Sequence, residues 1–402
     1  MAHSNAPVIA GPGNATVSPR PWLTPTAAAH ATFVPTGIVT VLLGPALPAL
    51  SAKWSLNDAQ AGELFTAQFL ASTIGVALSG VLVPRTGYRL ALVLGLLFMA
   101  AGVGALPLGS HALGVAAVAC YGVGLGLTIP ACNLLVAEVN PAKRAGAVSL
   151  LNFSWSLGAV ACPFLLTPFQ KSGHLATFFY GLAGFVLAVA LFIVQAHFPR
   201  ASRSGAGSGE TTQPFWTAIR TTDAIVLGIL FFVYVGTENA VGGWLASYAK
   251  RLSDSAGTFW GTTPSFFFGG LLAGRGLAPL IVRKIGELRM VRGCLAVALL
   301  GVVALLSVHS IPAVLISASI IGLGLAAVYP ITISLLSGRF GTGANRIGSV
   351  MFMLAGLGAA TMPWMVGVVS TKTSSLQYGL GIPLVACVLM LALYSRTWKT
   401  VQ

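Results

Sequence analysis

The stretch "YGVGLGLTIP" (Tyr121–Pro130) returns 200 residues later as "IGLGLAAVYP" (Ile321–Pro330). At the same spacing "LGAVACP" (Leu157–Pro163) returns as "LGAATMP" (Leu357–Pro363). "GVLVPRTGYRL" (Gly80–Leu90) is matched by "PLIVRKIGELR" (Pro279–Arg289), 199 residues on. Each match is short. Three in the same order at nearly one spacing indicate a duplicated unit. The glycine-rich run of the first match has no lysine and lies in an apolar stretch. It therefore reads as close helix packing, not as a phosphate loop.

Composition says what kind of unit is repeated. The chain is 56% hydrophobic and 7% charged, against about 45–50% and about 25% in soluble domains. Apolar runs near twenty residues recur throughout, the length that crosses a bilayer. Twelve helices are expected, at 26–49, 59–82, 90–109, 112–138, 145–168, 174–197, 223–248, 259–282, 290–308, 311–337, 346–370 and 375–395. The polar stretch "PRASRSGAGSGETTQPF" (199–215) splits them six and six and has linker composition. The expected organisation is a tail (1–25), a six-helix bundle (26–197), a linker (198–222), a second bundle (223–396) and a tail (397–402). The fold class is thus an all-α membrane protein with two pseudo-symmetric six-helix bundles. Such halves place a substrate site at their interface near mid-membrane.

The net charge of +14 writes topology here, not nucleic-acid binding, since no basic face is interleaved with aromatics. With both termini inside, the outer side holds Lys53, Lys171, Lys250, Arg251 and Lys372, and Arg275 lies within a helix. The other 16 of the 22 basic residues fall on the inner side, Arg85 and Arg89 among them. Both termini are therefore expected in the cytoplasm of a cell in whose (inner) membrane the protein is multi-pass. The first 25 residues lack the basic start and apolar core of a cleaved signal. The five cysteines sit in apolar runs without paired spacing, so packing is expected rather than metal ligation or disulfides. No cofactor and no catalytic set is expected, and the protein is read as a monomer.

Ionisable groups at mid-membrane are costly and face a cavity or a partner. Two qualify. Glu238 is ten residues from Tyr248 at the outer end of its helix, about 15 Å deep. Arg275 is eight residues from Arg283, about 12 Å from the inner end. Their depths allow contact. Glu238 reads as a ligand for substrate hydroxyls or a carrier of the coupling ion, with a structural tie through Arg275 as the alternative. Arg275 reads as a partner of Glu238, an anchor for an acidic substrate, or a helix tie. Tyr234, Glu238 and Gly242 are spaced by four and share a face. Asn239, Asn152, Gln68 and Asn133 are amides suited either to sugar hydroxyls or to inter-helix bonds. Trp155 adds an aromatic face, and Trp244 a gate or an interfacial anchor. Asp58, Glu63 and Glu138 read as surface or gate charges, and His30 as a titratable group without a visible partner.

Six plus six helices with a basic loop after the second resemble the major facilitator superfamily. That loop reads Gly80, Pro84, Arg85, Thr86, Gly87, Tyr88, Arg89. The family's acid is replaced by Pro84, so the latch built on that acid does not carry over. "YVGTENAVGGWLASY" (234–248) and "NLLVAEVNPAKRAGAVSLLNFSWSLGAVACP" (133–163) are similar to the fucose permease-like branch, which includes hexose permeases and sodium-dependent glucose transporters. The resemblance implies a secondary active transporter of a hexose or similar small polar solute working by alternating access; H⁺ is the coupling ion considered, but proton symport does not simply carry over. That branch's proton-coupling acids in the first and fourth helices are missing; the fourth-helix position holds Ile129. Glu238 is then the group left to couple, with Arg275, Arg85 and Arg89 for coupling and gating. Alternatives are an uncoupled sugar uniporter, an exporter of lipophilic or anionic compounds, and a non-transporting receptor or scaffold.

Overall fold

The computed structural model describes residues 24–196, 198, 218–252, 258–340 and 344–396. Both tails and most of the linker lie outside the described residues, as do Arg20, Arg200, Arg203 and Lys399. Among the described residues the regular structure is all helix. The first half is α1 (Pro25–Val41), α2 (Leu43–Trp54), α3 (Asp58–Thr86), α4 (Tyr88–Ala105), α5 (His111–Val139), α6 (Arg144–Lys171) and α7 (Leu175–Gln195). The second is α8 (Thr222–Arg251), α9 (Thr263–Ile285), α10 (Glu287–Ser307), α11 (Ile311–Leu325), α12 (Val328–Phe340), α13 (Ala344–Thr373), α14 (Leu376–Gly379) and α15 (Gly381–Ser395). Among the described residues eleven spans are long and apolar enough to cross a membrane, and the pair α1–α2, bent by 44°, makes a twelfth. Large side chains such as Leu191, Leu300 and Val385 are left exposed, as a lipid solvent permits.

The expected helices all form, most with extended ends; the third stops at Ala105 and the sixth spans only Leu175–Gln195, short of their expected bounds. The second and eighth run on through their basic residues to Gly87 and Gly286, whose φ values are 86° and 79°. Hydropathy marks the hydrocarbon limits, whereas the backbone continues until a glycine accepts the left-handed turn. The start of α3 is fixed by a capping box, Asn57 accepting from the Gln60 N–H and Gln60 from the Asn57 N–H. At α1–α2 and α11–α12 one expected helix is divided in two.

Lipid supplies no hydrophobic force between helices, so small residues set their approach. A Cβ at Gly158 would fall 2.1 Å from the Val34 carbonyl oxygen, and one at Gly358 would fall 2.0 Å from that of Phe232. A Cβ at Gly102 would meet Tyr121, and one at Gly301 would meet Ile321. One at Gly124 would meet Gly95, and one at Gly324 would meet Cys294 and Ala298. The same close approaches occur at equivalent positions in both halves, so the duplication is one of packing as well as of sequence.

Candidate substrate-binding site

Two helices set the depth of the site. Residues 41–48 are buried without interruption, and so are residues 240–249 of α8. Gly44 and Gly242 meet here; a Cβ on Gly44 would lie 2.8 Å from the Gly242 carbonyl oxygen. Phe65 of α3 packs on Trp244 with ring centroids 6.3 Å apart. These segments form a plug. Immediately beneath it Thr40, Glu238 and Asn239 become partly exposed. The residues above are sealed; the opposite end, where the linker attaches, is called here the linker face.

In the second half the Tyr234 hydroxyl donates to Glu238 Oε2 at 2.5 Å, one helical turn away. Arg275 Nη2 lies 3.5 Å from the same oxygen, with the acid 14% and the base 28% exposed. Arg275 reaches this position because α9 packs tightly on α11; Gly270 lies against the Ser319 carbonyl and Gly274 against Ala326. Tyr329 of α12 completes the cluster, its ring 5.8 Å from that of Tyr234. Tyr329 was missed from the sequence, although the repeat pairs it with Ile129. Asn239 is half-buried and bonds back to the Val235 carbonyl at 2.8 Å.

In the first half Asn152 Nδ2 donates to Asn133 Oδ1 at 3.2 Å, and both amides keep some exposure. His30 has a partner after all, its Nδ1 lying 2.7 Å from Ser154 Oγ. Trp155 Nε1 donates to Thr40 Oγ1 at 3.3 Å. Gln68 is fully buried. Its amide donates to the Thr40 carbonyl at 2.8 Å and accepts from Tyr121 at 3.0 Å. It thus ties α1, α3 and α5 and offers no free polar end. Trp244 is 1% exposed and donates to the Pro363 carbonyl at 2.9 Å. It belongs to the plug, away from the interfacial belt. Arg85 is exposed in the last turn of α3. Arg89 donates to the Ala196 carbonyl at 2.7 Å and caps the Phe198 ring, within its own half.

The family model of the Major Facilitator Superfamily matches residues 31–363. The chain belongs to this superfamily. The rat sodium-dependent glucose transporter 1 is 24% identical, over 94% of this chain and 85% of its own length. A putative glucose/galactose transporter of Helicobacter pylori is 25% identical, over 88% and 92%. A crystal structure of the Escherichia coli fucose:proton symporter superposes with a TM-score of 0.62 at 18% identity, covering 93% of this chain and 99% of that one. The fold is that of a major facilitator, and the chain is a membrane transporter.

Like other major facilitators, this transporter depends on what joins its halves. At the end away from the linker, the far face, Asp58 of α3 takes a 2.5 Å ion pair from Arg251 of α8 and a short hydrogen bond from the Ser370 hydroxyl of α13. The Ala59 N–H donates to Thr371 Oγ1 at 2.9 Å. Deeper, Thr66 donates to the Ala360 carbonyl at 2.7 Å and Ser265 to that of Val160 at 2.8 Å. The far face of this facilitator is therefore clasped shut. Asp58, read from the sequence as a surface or gate charge, is the centre of that clasp.

Proposed function

We propose that this transporter carries a hexose or a similar neutral polyol by alternating access of its two halves. The observation behind the reading is the Tyr234–Glu238–Arg275 cluster at the lower edge of the plug. Acid and base balance there, so the cluster offers acceptors and donors without net charge. A neutral polyhydroxyl solute matches it better than an anion or a lipophilic cation, either of which leaves one member unmatched. The partly exposed amides Asn133, Asn152 and Asn239 add hydroxyl partners. Trp155 and Tyr329 add ring faces for sugar C–H surfaces. The relatives named for glucose and galactose support the same class.

Solute drives the exchange of states only through unequal affinity for them. In the coupled version of the reading, H⁺ acts at Glu238. A proton there removes the charge facing Arg275 and frees the guanidinium for a solute hydroxyl or another acceptor. Uniport is the second reading. What favours it is that Arg275 already balances Glu238, so the pair needs no ion to be neutral. The test is uptake of D-glucose and D-galactose into proteoliposomes with and without a pH gradient. Accumulation driven by the gradient and lost in Glu238→Gln is the expected result for symport. Uptake that ignores the gradient, and is normal in Glu238→Gln, leaves uniport. Uptake of neither sugar overturns the substrate class.

A further inference from the structure

We infer that Thr40, with Trp155 beside it, is the first half's own part of the substrate site, opposite Glu238, and that it accepts a hydrogen bond from a polyol hydroxyl. The inference rests on the polyol reading above. Its basis is the packing register of the two halves. Gly158 meets Val34 and Gly358 meets Phe232. The first spans are therefore related by a shift of 198 residues (34 to 232). That shift pairs Gly44 with Gly242, and these two residues touch each other. Two equivalent residues can touch only beside the pseudo-two-fold axis. The same shift pairs Thr40 with Glu238. Each lies four residues before that crossing, about 6 Å of helix rise in α8 and across the bend at Leu42 in the first span. Each is partly exposed at the lower margin of the buried run that forms the plug. Thr40 and Glu238 thus flank the axis from opposite halves at one depth, just under the plug.

The chemistry of Thr40 fits this place. Its Oγ1 donates to the Thr36 carbonyl at 2.6 Å and accepts from Trp155 Nε1 at 3.3 Å. A hydroxyl has one proton and two lone pairs, so one lone pair is left. The Thr40 carbonyl is held by Gln68, which Tyr121 holds in turn. Gln68 is therefore a positioning residue. The site becomes asymmetric: an ion pair with phenols on one wall, an uncharged acceptor with an indole on the other.

The test uses the full chain with its five native cysteines replaced by serine. Thr40→Cys and Asn239→Cys are each converted to a mixed disulfide by a membrane-impermeant thiosulfonate added from the linker face, which releases a sulfinate, with and without D-glucose or D-galactose. Labelling of both, slowed severalfold by sugar, is expected. Protection of Asn239→Cys alone, or no labelling of Thr40→Cys, overturns the inference while the sugar reading stands. Labelling of both without protection of either overturns the sugar reading and this inference with it. In the wild-type background, Thr40→Val should raise the sugar Kd about fivefold, the worth of one neutral hydrogen bond. Thr40→Ser should stay near wild type. Equal Kd values for all three proteins overturn the inference independently of the cysteine background.

Discussion

Glu238 is tolerable at mid-membrane because Tyr234 and Arg275 both meet it. Removing one member of a buried pair costs about 3–5 kcal/mol, chiefly by stranding the other charge. With Glu238 and Arg275 14% and 28% exposed, the cost falls toward the lower end. Arg275→Met should therefore lower the thermal midpoint more than the double variant Glu238→Gln/Arg275→Met does. Additive losses in a double-mutant cycle on purified protein would remove the pair as a coupled unit. Much of this cluster was legible in the sequence. Helix rise gave both depths, and spacing by four gave the Tyr234–Glu238 contact. Tyr329 was not legible, because it lies just past the division between α11 and α12, which hydropathy does not mark. Thr40 was not legible either. A threonine bonded to the carbonyl four residues back reads as packing until the register of the two first spans is known.

At the scale of the helix, the glycines on the contact seams carry the architecture. A Cβ at Gly358 would stand 2.0 Å from the Phe232 carbonyl oxygen, whereas one at Gly184 of α7 meets nothing within 4 Å. Gly358→Val must push α13 from α8, which overpacking precedents put at about 1–3 kcal/mol. Gly184→Ala should be neutral or stabilising by about 0.4–1 kcal/mol, since a helical backbone accepts it and the unfolded chain loses freedom. Thermal unfolding in one detergent compares the two directly; equal losses would mean that the seam is not the constraint. The existence and order of the helices were legible from apolar runs, and the pairing of the halves from three short matches. The bend at Leu42 was not. It lies between α1 and α2 within a continuous apolar run, where hydropathy does not change.

The whole molecule has a clasped far face with the candidate site beneath it, and the clasp centres on one carboxylate. Asp58 holds Arg251 and Ser370 of the other half. Alternating access requires that these bonds break whenever the far face opens. Asp58→Asn should therefore bias the equilibrium toward the far-open state without touching the substrate site. Arg251 is 45% exposed, and exposed ion pairs contribute about 0.2–1 kcal/mol, so the shift should reach at most about fivefold from the ion pair alone. Thr66 reports it well, since its hydroxyl crosses to the Ala360 carbonyl deep under the clasp. In a Thr66→Cys background, Asp58→Asn should raise the rate of alkylation by an impermeant maleimide added at the far face. Raised ionic strength should increase the rate in the Asp58 protein and much less in the Asp58→Asn protein, because screening acts on the same exposed pair. An unchanged rate, or an equal salt response in both, would show that the Ala59–Thr371 and Ser265–Val160 bonds hold the far face shut and that Asp58 only decorates it.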